Sequence, residues 1–255
     1  SAIRDGKWLG GLLLALGINL KWMPLVLLPY LFYRKEFRAL TITIITTVAL
    51  WYLPLLWLDT GYFFQMTRSY WQLINPVQTK HLLDVEEGSF HGLTTWVSTL
   101  FHEAAREPNA LPWRRHIADF PIEVVVIIVN TVRLLVVFMT LLFLRARLFT
   151  RIQEESISFF EWSWLLATIP LIFPHQQHYA FLLMVPAMAY VLSWWLNGTL
   201  TRSNKILFCV VVALFNLSLW VGVGAALYNH YKIVTIGGVL LLWILYRVRP
   251  AFQTN

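Results

Sequence analysis

The sequence predicts an all-α protein that crosses a membrane several times, a polytopic helix bundle of about seven spans forming a single domain over residues 1–255. Three observations predict it. Of the 255 residues, 58% are hydrophobic and 13% are charged, where a soluble domain is about half apolar and about a quarter charged. The mean hydropathy is +0.61, and the apolar residues gather into runs near the roughly 20 residues that carry a helix across a hydrocarbon core. The basic residues behind the net charge of +7 sit in short clusters between these runs. That is the pattern of loops that orient a membrane protein, not of a nucleic-acid-binding face.

The first apolar stretch, residues 8–33, is interrupted between Lys21 and Pro24, where the proline removes a backbone donor. It reads either as one tilted span or as two half-helices turning at Lys21, and the basic residues on both flanks (Arg4 and Lys7, then Arg34, Lys35 and Arg38) favour the hairpin. Further spans are expected at 40–58, 121–144, 158–173, 179–196, 206–227 and 233–246. The span 158–173 is short for a full crossing and is expected to end in a protein-lined cavity. The opening at Ser1, just before an apolar run, suggests a chain that begins partway into a longer protein. The lone Cys209 excludes an intrachain disulfide.

Orientation follows from the short loops. Arg34, Lys35, Arg38, Arg145, Arg147, Arg151, Arg202, Lys205, Arg247 and Arg249 share one side, which should be cytoplasmic. All seven histidines (His81, His91, His102, His116, His175, His178 and His230) then fall on the external side. So does the long segment 59–120. Within it Leu93, Trp96, Val97, Leu100 and Phe101 recur at helical spacing, which predicts an amphipathic helix around 92–105 lying at the membrane surface.

The most pointed polar cluster is Pro174-His175-Gln176-Gln177-His178-Tyr179. Hydrogen-bonding side chains at a membrane boundary are costly unless they line a wet cavity, so this run is either a sugar or phosphate pocket or a solvated turn. Lys21 suits a lipid phosphate as a compact charge, or snorkels to the interface. Glu123, Asn130 and Arg133 share one side of the 121–144 span, where helix-to-helix glue is favoured over site chemistry and Arg133 should find a carboxylate or carbonyl partner. Asp84, Glu86 and Glu87 could hold a divalent cation, but a solvated acidic turn is the plainer reading. The histidines show no zinc spacing, and no cofactor motif is present.

Two segments together resemble a known family. The first runs Gly6-Lys7-Trp8-Leu9-Gly10-Gly11, continues through Leu20-Lys21, Pro24 and Leu28-Pro29-Tyr30, and closes on Arg34-Lys35. The second is Phe173-Pro174-His175-Gln176-Gln177-His178-Tyr179, with Pro186 twelve residues after Pro174. In this order they are similar to glycosyltransferase family 87, GT-C-type membrane enzymes that use polyprenyl-phosphate sugars and include mannosyltransferases. Phe173 and the Gln176-Gln177 pair depart from the family's Ser-containing pattern. The resemblance implies hexose transfer, with inversion, to a lipid or glycan acceptor on the external face of a bacterial inner membrane. Lys21 would hold the donor phosphate, and His175, Gln176, Gln177, His178 and Tyr179 would contact phosphate or sugar. The family's catalytic carboxylate lies in an external loop expected to precede this chain, so no base is assigned. A transporter of a lipid-linked or polar solute, with paired broken helices, and a non-catalytic membrane subunit are the rival classes.

Overall fold

The computed structural model describes residues 8–74, 90–103, 111–144, 149–150, 152, 154–220 and 224–251, and among them every regular element is a helix. They form two compact units. The first holds residues 8–74 with 149–150, 152 and 154, and the second holds 90–103, 111–144, 155–220 and 224–251.

In the first unit, α1 (Trp8–Leu20) is followed by a 3-10 turn, Met23–Val26, then α2 (Leu27–Tyr33) and α3 (Phe37–Tyr52). A second tight turn, Leu53–Leu56, continues α3, and α4 (Thr60–Ile74) follows. The break is where the sequence places it: the Lys21 amide closes on the Gly17 carbonyl at 2.9 Å, and Pro24 sits in the first turn, where its missing donor is harmless. Thr43 Oγ1 donates to the Gly11 carbonyl, and Asn19 Nδ2 to the Thr47 carbonyl. Residue numbers rise together along this seam, so α1 and α3 are parallel and the chain from 23 to 33 must run back between them. The hairpin reading holds. Gly11 makes the seam possible, since a Cβ there would lie 2.8 Å from the Ala39 carbonyl oxygen. Arg34, buried at the end of α2, lays its guanidinium 4.5 Å from the Tyr33 ring centre.

The second unit contains α5 (Leu93–Phe101), α6 (Ile122–Phe143), α7 (Glu155–Ile172), a 3-10 segment His178–Met184 leading into α8 (Val185–Leu196), α9 (Arg202–Trp220), α10 (Ala225–His230) and α11 (Ile233–Arg247). One core joins these helices: Leu93, Phe160, Trp164, Leu171, Phe181, Met184, Tyr190, Val211, Tyr228, Leu241 and Ile244 are all buried. By contrast, outward residues such as Leu134, Leu182 and Leu196 are 69, 69 and 76% exposed, an oily surface suited to lipid.

Two expectations meet the structure differently. Among the described residues three helices are long and apolar enough to cross a membrane, Phe37–Leu56, Ile122–Phe143 and His178–Leu196, and shorter apolar helices at Trp8–Leu20, Met23–Tyr33 and Ile233–Arg247 stand beside them, so about seven full spans are not confirmed. Helix α7 carries Glu155, Glu161 and Pro170, and α11 has 15 residues, about 22 Å of helix. Within the expected 206–227 span, residues 225–227 belong to a separate short helix, α10. The second concerns 59–120. Its described residues include helices α4 and α5, and α5 is not a surface helix: Leu93, Thr94, Thr95, Val97, Ser98 and Thr99 are all buried, so protein covers its hydroxyl face as well as its oily one. His81, Asp84, Glu86 and Glu87 lie outside the described residues.

Candidate functional site

The polar turn after α7 is shaped by its own residues. Pro170 offers no amide to the preceding turn, and the Phe173 amide reaches Ile169 at a long 3.3 Å. His175 then takes a left-handed conformation, φ 57°, which reverses the chain. The Ile172 carbonyl, exposed by the helix end, accepts from Arg133 Nε at 3.0 Å. Arg133 thus has the carbonyl partner expected of it, a cation at a helix C-terminus. Glu123 is exposed and does not share that inner face, whereas Asn130 is partly buried.

A second loop locks onto this turn. The His91 amide donates to the Gln176 carbonyl at 2.6 Å. Gly92 lets the strands of chain touch: a Cβ on it would lie 3.2 Å from the Phe173 carbonyl oxygen. The His91 and His178 rings come to 4.1 Å between centroids, and Tyr228 stacks on His178 at 5.4 Å and lies 6.1 Å from His91. Lys232, fully buried at φ 52° where α11 begins, is close enough for its charge to disfavour protonation of His91. Burial first, then His178 and Lys232, hold the His91 imidazole at about 2, and the nearby Asn229 side chain opposes this only in part. His91 is therefore neutral at any working pH. Ring nitrogens of His91, Nε2 of His178, the Tyr228 hydroxyl and Gln176 Oε1 are buried without a hydrogen bond of ordinary geometry. Such groups cost free energy unless something polar meets them, and they gather here at one point.

The sequence-derived candidates divide. Gln176 and His178 join this cluster. His175 turns aside to pack edge-on against Phe90 at 5.0 Å, Gln177 caps the 3-10 segment through its carbonyl, and Tyr179 is 56% exposed, away from the buried rings. Lys21 belongs to the first unit and is half-buried. Its neighbour Trp22 lines a cavity of about 250 Å³ there with Asn19, Leu25, Thr47 and Trp51. His91, Tyr228 and Lys232 were not picked out as site residues. A signal for the last two was present: Tyr228-Asn229-His230-Tyr231-Lys232 is a polar run between apolar helices, like the 174–179 run.

The loops of the second unit meet at one end. Arg115 Nη1 donates to the His230 carbonyl at 3.1 Å, and Ile117 and Phe120 amides bond to the Leu100 and Phe101 carbonyls. His91, His102, His116, His175, His178 and His230 therefore share that end. Arg249 stacks on Tyr246, and Lys205 on Trp195, at the opposite end.

Against known proteins, the model of glycosyltransferase family 87 matches residues 2–168. No curated protein and no solved structure matches. The matched region includes the Lys21 break, His91 and most of α7, and it stops before the 174–179 turn. It covers well over half of the chain, and the chain accordingly belongs to glycosyltransferase family 87, a family of membrane glycosyltransferases.

Proposed function

We propose that the chain moves a hexose, of the mannose type, from a polyprenyl-phosphate sugar to a lipid or glycan acceptor at the external face of a bacterial inner membrane. The observation that carries the site is the meeting of His91, His178, Tyr228 and Lys232 with the Gln176 turn. A fully buried ammonium beside imidazole and phenol groups suits the phosphate that leaves with the lipid. Fixed charges and donors in a water-poor site stabilise leaving-group charge more strongly than water does. His178 and Gln176 are the substrate contacts on the turn. His175, Gln177 and Tyr179 border it, and Lys21 is proposed separately as a lipid-phosphate contact because it stands at a helix break beside an apolar cavity.

The test is transfer by the full-length protein in nanodiscs, with radiolabelled polyprenyl-phosphate hexoses offered one at a time. Transfer of label to a lipid or glycan, lost in Lys232→Met, supports the proposal; no transfer from any donor refutes it. A transporter has one observation in its favour, namely that each unit contains an interrupted helix. Uptake of lipid-linked sugar into vesicles without a change in the covalent product would favour that reading.

A further inference from the structure

Two loops of the first unit touch at one end of it, one between α2 and α3 and the other at residues 149–150. Helix α2 closes with a pair of backbone bonds, the Lys35 amide to the Phe32 carbonyl at 3.1 Å and the Glu36 amide to the Leu31 carbonyl at 2.9 Å. This ending puts one residue in a left-handed conformation, a position where glycine is favoured. Lys35 occupies it, at φ 56°. In the other loop Phe149 also stands at φ 56°, with its ring 5.9 Å from Phe32 and 6.0 Å from Tyr33. Phe37 joins the group at 5.9 Å from Phe32.

Glycine would adopt either backbone conformation without strain, and a bulky residue there is an outlier. Burial of the Lys35 side chain does not offset that strain, because Lys35 is exposed, as are Arg38 and the rings of Phe32, Phe37 and Phe149. Arg34 and Glu36 beside it are buried. The patch thus presents two cations among three open aromatic rings. Its position decides what it meets. The membrane-crossing helix Phe37–Leu56 begins at Phe37, and its 20 residues measure about 30 Å, the thickness of a hydrocarbon core. Phe37 therefore stands at the boundary between lipid chains and headgroups, with Lys35 just before it and Arg38 in the first turn. Aromatic rings favour that boundary, and cations meet lipid phosphates there.

We propose that Phe32, Lys35, Phe37, Arg38 and Phe149 form a docking site for the headgroup of an anionic phospholipid, in the leaflet at this end of α3. Lys35 and Arg38 hold the headgroup phosphate, and the three rings seat the glycerol and the upper part of the acyl chains. This goes beyond the orienting effect of basic loops. A general excess of cations requires neither a lysine in a left-handed position nor exposed rings packed around it. The site is independent of the transfer reaction and of the residues assigned to it.

The test uses the full-length protein in phosphatidylcholine nanodiscs containing spin-labelled phosphatidylglycerol or spin-labelled phosphatidylcholine. The motionally restricted fraction of each label gives their relative affinity. Wild type should prefer phosphatidylglycerol, and high salt should weaken that preference. Lys35→Gly should lower the preference about fivefold, the effect of one cation lost at a charged membrane surface. Its thermal midpoint in phosphatidylcholine alone should stay level or rise, because glycine relieves the left-handed backbone. Lower lipid preference without lower stability is an outcome that a merely structural lysine would not give. Lys35→Arg should keep the preference. Arg202→Gln, which removes an exposed cation of the other unit, should leave it within about twofold, since surface attraction is local. An equal loss in Arg202→Gln would reduce the effect to net charge and overturn the proposal. No preference in wild type, or an unchanged one in Lys35→Gly, would also overturn it and leave the patch to an acidic protein partner.

Discussion

Among the described residues a helix is interrupted at Lys21 in one unit and at residues 173–178 in the other, and these two interruptions are built for different chemistry. At Lys21 the surroundings are aromatic and aliphatic. Trp22 stands edge-on to Trp51 at 5.4 Å and within 6.2 Å of Tyr70 and Trp71, above a cavity walled largely by carbon. At residues 173–178 the surroundings are polar and closed: Gln176 is buried, His91 bonds to its carbonyl, and Lys232 is sealed in. Each has a proline close by, Pro24 in the turn after α1 and Pro170 inside α7, but among the described residues only the second is covered by other loops. A charge therefore keeps partial hydration at Lys21 and loses it at Lys232, and electrostatic effects scale inversely with the effective dielectric.

Substituting the two lysines exposes that contrast most directly. Lys232→Met should lower kcat/KM for hexose transfer by about 100-fold, within the range seen when a preorganised charge-stabilising donor is removed. Lys21→Met, at a half-hydrated position, should cost nearer tenfold, roughly 1.4 kcal/mol. Equal losses would show that the two breaks are equivalent and would void the comparison.

Close packing at the second break gives the next effect. Gly92→Ala would press a Cβ against the Phe173 carbonyl and Thr94 Oγ1, both at 3.2 Å, and should destabilise by about 1–3 kcal/mol. At the first break, Gly17→Ala meets only a Pro24 side-chain carbon at 3.8 Å. In mid-helix it should be stabilising by up to about 1 kcal/mol. Opposite shifts in thermal midpoint are the expected outcome, and a stabilising Gly92→Ala would mean that the His91 loop is not locked to the turn.

Acid should sharpen the same difference. His91 titrates near 6.5 when unfolded but only at about 2 when folded, so as pH falls below 6.5 the unfolded chain takes up the proton first. Stability is then lost progressively between pH 6.5 and 2, with a slope approaching about 1.4 kcal/mol per pH unit. Denaturation of wild type and His91→Gln at pH 7 and pH 5 checks this; the variant should lose less stability over that interval. An identical loss in both would show that His91 is solvated.

How much was readable beforehand depends on whether a feature is local. The Lys21 break, the reversal of the chain after it and the Arg133 partner all follow from short-range chemistry: proline geometry, charge flanks and the cost of an unpaired intramembrane cation. The polar run at 174–179 was visible for the same reason, although the fold draws only Gln176 and His178 into the cluster and leaves Tyr179 outside. Lys232 was hidden because a lone lysine between two helices looks in one dimension like any solvated loop charge. His91 is hidden because its role depends on Gly92 allowing two backbones to touch, with Gly92 and Phe173 81 residues apart in sequence. For α5 the apolar spacing of Leu93, Trp96, Val97, Leu100 and Phe101 points to one oily face only, while the fold buries the other face as well. Hydroxyls on a short helix can instead turn back to their own carbonyls, as Ser98 does to Thr94 and Thr99 to Trp96, and be buried.

The most direct measurement is single-turnover transfer by the full-length protein in nanodiscs, from a radiolabelled polyprenyl-phosphate hexose, comparing wild type with His178→Ala. His178 is the residue that links the polar turn to both His91 and Tyr228. The expected result is label transferred by wild type and a loss of about 100-fold in the variant, with the thermal midpoint within a few degrees of wild type. Transfer by a well-folded His178→Ala at near the wild-type rate would contradict the placement of donor chemistry at this cluster.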